Sequence, residues 1–134
     1  SYMDYTNFDL KYAYHDGTMW NMETVDSTGY TGYYTSIALD SSDRPHISYN
    51  GSSGGLDYAY HDGNGWQMET VDGTVSCYST SIGLDSLDRP HIAYYDDNDY
   101  TLHYAYHDGS AWHTEQVDME SEIGEEVAIA VDSA

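Results

Sequence analysis

Acids, imidazoles and phenols are the reactive side chains that this sequence offers in number. Its 134 residues include 24 Asp and Glu, 7 His and 16 Tyr, against 3 Lys and Arg and a single cysteine, Cys77. Paired carboxylates suit glycoside hydrolysis, where one protonates the leaving oxygen while the other attacks or activates water. Asp40, Asp85 and Asp132 recur in a repeated Leu/Val-Asp-Ser tripeptide and are the carboxylates to consider for it. Asp and Ser in that order form turns, their side chains capping local N–H groups, so a structural role is expected of them rather than catalysis. A hydrolase gripping a carboxylated sugar needs clustered arginines. Arg44 and Arg89 instead occupy equivalent turns of two repeats, and Lys11 is the third cation. No activated nucleophile, phosphate-cradling glycine loop or HExxH pattern is present, and the chain is read as non-enzymatic.

Binding chemistry is better represented. "DDNDY" (Asp96–Tyr100) places Asp96, Asp97 and Asp99 at close spacing, and such a run of oxygens suits Ca²⁺ as the one cofactor to expect. Tyr5, Phe8, Tyr30, Tyr33, Tyr34, Tyr78 and Tyr100 fall in the segments least alike between repeats. Their flat rings can stack on sugars, with Asn7, Asp97 and Asp99 nearby as hydrogen-bonding groups, so carbohydrate is the ligand class they suggest. His15, His61 and His107, like His46 and His91, recur at equivalent places, which assigns them to the scaffold rather than to one converging metal site. Trp20, Trp66 and Trp112 recur in the same way and are read as packing between repeats.

The elements that must position these residues follow from one hexapeptide. "YAYHDG" occurs at Tyr12–Gly17, Tyr58–Gly63 and Tyr104–Gly109, each copy 46 residues after the last. A fixed period of this size marks a repeat architecture. Within a unit, four segments such as "TSIGLD", "HIAYY", "LHYAYH" and "WHTEQV" alternate large and small residues, the period of β-strands, and turn residues separate them. Four short strands per unit predict an all-β fold, a β-propeller of four-stranded antiparallel blades. The units divide as 1–26 (strands b, c and d of a split blade), 35–72 and 80–118 (two whole blades) and 127–134 (a strand a). Three blades cannot close a ring when four to eight are usual. The expectation is therefore a six-bladed ring of two copies, head to tail, with each strand a completing the partner's split blade.

Charge removes other partners. A formal charge of −21 repels the phosphates of nucleic acids and anionic membrane surfaces, and no apolar run is long enough to insert into a bilayer.

The motifs "SIALDSSDRPHISY" and "LKYAYHDGTMWNMETVD" resemble those of a group of bacterial and archaeal tandem-repeat proteins, over almost the entire chain. That resemblance implies a β-propeller of extracellular or surface type with no assigned activity. "HDGNGW" (His61–Trp66) is also similar to a turn of six-bladed fucose-binding lectins, whose short chains assemble into the ring. Those lectins hold sugar with an Arg and a Glu from the strands plus a Trp, and the matching strand positions here are Ile47 and Tyr58, so that binding set is missing. The same turn loosely resembles the Asp box of sialidases, which is a structural element there.

Overall fold

The computed structural model describes residues 1–118 and 126–132. Among these residues eleven strands follow one another: β1 (Tyr2–Asp4), β2 (Asp9–His15), β3 (Trp20–Asp26), β4 (Tyr33–Leu39), β5 (Pro45–Asn50), β6 (Leu56–His61), β7 (Trp66–Asp72), β8 (Cys77–Leu84), β9 (Pro90–Asp96), β10 (Thr101–His107) and β11 (Trp112–Asp118). They form three antiparallel sheets, ordered β1-β2-β3, β4-β5-β6-β7 and β8-β9-β10-β11, each a simple meander. No helix occurs among the described residues.

The repeated hexapeptide shows how sequence becomes sheet. Its two tyrosines lie two residues apart on one strand face and stack, with centroids 5.5, 5.5 and 5.7 Å apart in the three sheets. The alanine between them points the other way, and Ala59 and Ala105 are wholly buried. The histidine closes the hairpin: the Nδ1 atoms of His15, His61 and His107 accept the N–H of Gly17, Gly63 and Gly109 at 3.0–3.1 Å. Those glycines have φ of 97–99°, where a side chain is strained. The aspartate caps the same turn. Asp62 Oδ1 accepts the N–H groups of Asn64 and Gly65 at 2.7 and 2.9 Å, and Asp16 and Asp108 do the same in their own turns. The hexapeptide is therefore a complete hairpin specification, which accounts for its threefold use.

The expected capping role of the Leu-Asp-Ser aspartates is what the geometry gives. Asp40 Oδ1 accepts the N–H groups of Ser42 and Arg44 at 2.8 Å, and its Oδ2 accepts Arg44 Nε at 2.7 Å. Asp85 repeats this with Leu87 and Arg89. Burial pushes the Asp40 carboxyl up, but the Arg44 hydrogen bonds win and hold it at about 2.

The sheets pack face to face, with a core at each junction. Leu10, Val25, Ile47, Tyr49 and Ala59 fill the first, between sheets one and two. Leu56, Tyr58, Cys77, Ile82, Ile92, Tyr94 and Ala105 fill the second. Phenols inside these cores find acceptors, as such groups must: Tyr49 donates to Asp26 Oδ2 at 3.0 Å and Tyr94 to Asp72 Oδ2 at 2.9 Å. Cys77 behaves as one more apolar group, its thiol pushed up to about 12 by burial.

Along the innermost strands the sheets are joined by hydroxyls. Ile82 N–H donates to Ser36 Oγ at 3.2 Å, and Ile129 N–H donates to Ser81 Oγ at the same distance. Residues 126–132 therefore lie against β8 as β8 lies against β4, although they join no ladder among the described residues. Val131 comes so close that a Cβ on Gly83 would stand 2.8 Å from its Cγ2.

Candidate ligand-binding face

Two kinds of connection bring the candidate aromatics together: the entry into each inner strand, and the loop between the second and third strands of a sheet. Tyr33, Tyr34 and Tyr78 were expected in loops but sit inside β4 and β8. Bulges between Tyr33 and Ser36, and between Cys77 and Ser79, break the ladder there, and such a bulge re-aims the side chains around it. The rings form a chain. Tyr5 meets Tyr33 edge-on at 6.1 Å, Tyr33 lies 6.2 Å from Tyr34, and Tyr34 lies 4.3 Å from Tyr78. Phe8 packs on Tyr30 at 4.4 Å. Tyr100 stands in its own loop, half-exposed. The Tyr34 hydroxyl is pushed well above the usual phenol range, first by burial and then by its hydrogen bond with Tyr78.

Backbone conformation sets Phe8 and Tyr100 apart. They occupy equivalent positions, 92 residues apart, and both have left-handed φ, 61° and 63°. Each closes its loop by donating its N–H to the carbonyl four residues back, Asp4 or Asp96, at 2.7 and 2.9 Å. The second sheet has Gly54 at this position, with φ of 88°. For an L-residue the left-handed region costs about 1–2 kcal/mol, and glycine escapes that cost. Two of three loops thus hold an aromatic ring where glycine would be more stable. Tyr34, with φ of 49°, is a third strained aromatic on this face.

A cavity of about 470 Å³ opens beside the Tyr34–Tyr78 pair. Thr35, Ser79 and Thr80 line it, and Glu126 and Val127 close one side. Two aromatic rings, three hydroxyls and one carboxylate suit a polyhydroxylated ligand, whose C–H faces stack and whose hydroxyls exchange hydrogen bonds.

The acidic loop is arranged differently from the expectation. Asp96 and Asp99 do converge, with ligand atoms within 4.8 Å of one another, but the third member of their group is His103 of β10; Asp97 lies outside it. Asp96 Oδ1 accepts the N–H groups of Ser76 and Asn98, and Asp99 Oδ1 accepts the Thr101 hydroxyl at 2.5 Å. Asn7, expected to face a ligand, donates to Asp4 Oδ2 at 3.1 Å. Ile47 and Tyr58 are buried in the cores.

Two of the three tryptophans bond to a glutamate of the neighbouring sheet, a partner that the sequence reading passed over. Trp66 Nε1 donates to Glu23 Oε2 of the preceding sheet at 3.0 Å, and Trp112 Nε1 donates to Glu69 Oε2 at 2.8 Å. The signal was present, since a Glu follows each Trp at the third residue in all three repeats: Trp20/Glu23, Trp66/Glu69 and Trp112/Glu115.

This all-β, propeller-like architecture is shared with a solved lectin. A fucose lectin from Kordia zhangzhouensis, determined in complex with methyl-fucoside, superposes with a TM-score of 0.61 at 22% sequence identity, covering 85% of each chain. At that identity the likeness is one of fold. The sequence matches no protein-family model and no curated protein, so the resemblance to the tandem-repeat group rests on its motifs alone.

Proposed function

We propose that this chain is a non-catalytic, lectin-like module that binds carbohydrate through its tyrosine face and works at the cell surface or outside the cell as a ring of two copies. The observation that carries the binding reading is the strained placement of Phe8, Tyr34 and Tyr100 in left-handed backbone, on the face where Tyr34 and Tyr78 flank a sugar-sized cavity. Strain of this kind persists where the surrounding structure enforces it, and it gathers at ligand sites. The fold shared with a fucose lectin supports the same class of ligand. The matched positions Ile47 and Tyr58 argue against that lectin family's strand-based mode of holding sugar, which leaves the aromatic face as the surface for it.

A glycan array, followed by titration calorimetry with the best binder and with methyl-fucoside, tests the proposal. Binding that falls at least tenfold in Tyr34→Ala and Tyr78→Ala, with circular dichroism unchanged, supports it. Silence across the array refutes carbohydrate binding, and hydrolysis of reporter glycosides refutes the non-catalytic reading.

A further inference from the structure

Two seams join the three sheets, and they are built alike. At the first, Trp66 meets Tyr12 edge-on at 5.5 Å while its indole N–H reaches Glu23. At the second, Trp112 meets Tyr58 at 5.1 Å while its N–H reaches Glu69. Each seam takes its Trp from one sheet and its Tyr and Glu from the sheet before. One repeat unit further along, the same chemistry is left in halves on the two outer faces. Trp20 of β3 is 66% exposed and its neighbour Met22 is 67% exposed, although the equivalent Trp66 packs against the core. On the opposite outer face stand Tyr104 and the exposed Glu115, with Val117 57% exposed where its counterpart Val25 is 5% exposed. Among the described residues no hydrogen-bond partner is present for Trp20 Nε1 or for the Glu115 carboxylate.

We infer that the Trp20 face of one chain docks on the Tyr104–Glu115 face of a second copy, forming the same Trp–Tyr–Glu seam between molecules. The inference rests on the reading of the chain as half of a ring and names the residues that close it. The occupant is a second copy because both halves of the seam are present on one chain, are complementary to each other, and face away from each other. A head-to-tail contact of this kind closes when the rotation completes a circle, and two copies then make two identical seams. Each seam seats an aromatic anchor, the kind of residue that dominates interface energetics. Association must also overcome the repulsion between two chains of −21 each, so it strengthens as salt shortens the Debye length from roughly 30 Å at ~0.01 M to about 10 Å at 0.1 M.

Light scattering on a sizing column reads the mass of the wild type, Trp20→Ala and Glu115→Ala, and of the two variants mixed, in low and moderate salt. The expected wild-type mass is twice the 15.1 kDa of the chain, more fully so in salt. Both variants should elute as single chains with wild-type circular dichroism. Mixing them should restore a dimer fraction, because one of the two seams then recovers both Trp20 and Glu115. A single-chain wild type would overturn both the ring reading and this seam. A wild-type dimer indifferent to both substitutions would overturn the seam and leave the ring reading standing on other contacts. Assembly into anything but two copies, or association with a different protein alone, would overturn the choice of occupant.

Discussion

Replacing Trp112 with alanine tests the inter-sheet seam inside a single chain, where no assembly is needed. The indole is partly buried against the second core, meets the Tyr58 ring edge-on at 5.1 Å and donates to Glu69 at 2.8 Å. Half of a tryptophan's usual burial removes roughly 100 Å² from water, worth about 2.5 kcal/mol. The edge-to-ring contact adds about 1 kcal/mol. The hydrogen bond to the carboxylate is discounted to about 1 kcal/mol because Glu69 is exposed. Alanine retains part of the packing, so the expected loss is ~3–4 kcal/mol. Trp112→Phe keeps most of the ring and loses the N–H, for an expected cost of about 1 kcal/mol. Urea unfolding followed by far-ultraviolet circular dichroism reads both, and an unchanged slope shows that the denatured state is not what moved. Trp20→Ala, measured where the chain is a single copy, is the control: an exposed side chain should cost less than about 0.5 kcal/mol. A Trp112→Ala loss as small as that of Trp20→Ala would refute the account of the seam.

Further expectations concern buried charge, backbone and metal. Asp57 Oδ1 is buried with no hydrogen-bond partner, and burial pushes its carboxyl above the ordinary 3.8, with the Asp26 charge adding to the shift and a hydrogen bond from Thr70 opposing it. Its ionisation therefore costs stability once pH rises past 3.8 and costs nothing where both states are protonated; Asp57→Asn should melt higher than wild type at pH 7, with the gap closing as pH falls through the raised folded value towards 3.8. Equal melting temperatures at pH 7 would count against that reading. Gly63→Ala should lose about 1 kcal/mol from its positive φ alone, since nothing lies within 4 Å of the new Cβ. Gly32→Ala should lose more, because its Cβ would stand 2.9 Å from the Leu10 Cα as well, and the reverse order in urea titration would refute this. For the acidic loop we propose that Asp96 and Asp99 bind Ca²⁺: millimolar Ca²⁺ should raise the melting temperature of the wild type and not of Asp99→Asn, and no rise in the wild type would dismiss the site.

What could be read from the sequence was whatever the repeat states locally. Alternation between Tyr58, Ala59 and Tyr60 marks a strand whose faces meet different neighbours, and the turn chemistry of Asp40 and Asp85 names its own caps. These features depend on residues within a few positions of one another. The bulges before Ser36 and Ser79 leave no such mark, so Tyr33, Tyr34 and Tyr78 read as loop residues until the ladder is traced. The grouping of His103 with Asp96 and Asp99 in place of Asp97 depends on β10 folding back beside β9, a pairing between strands rather than a run along one. The Trp–Glu seam lay between these cases: its members recur at a fixed spacing, but their partners lie in adjacent units, and period alone does not say which Trp meets which Glu.

That pairing across units has a consequence for how such chains change length. The Trp66 and Trp112 indoles each reach a carboxylate 43 residues earlier, in the unit before their own. A recombination event that adds or removes one whole repeat therefore leaves every remaining junction with a matched pair. The breakpoint need not fall at a blade boundary, because a unit cut at any point and rejoined in phase restores the same contacts. Blade number is in this sense a quantity that single genetic steps can alter, with each junction already specified by the sequence that was duplicated.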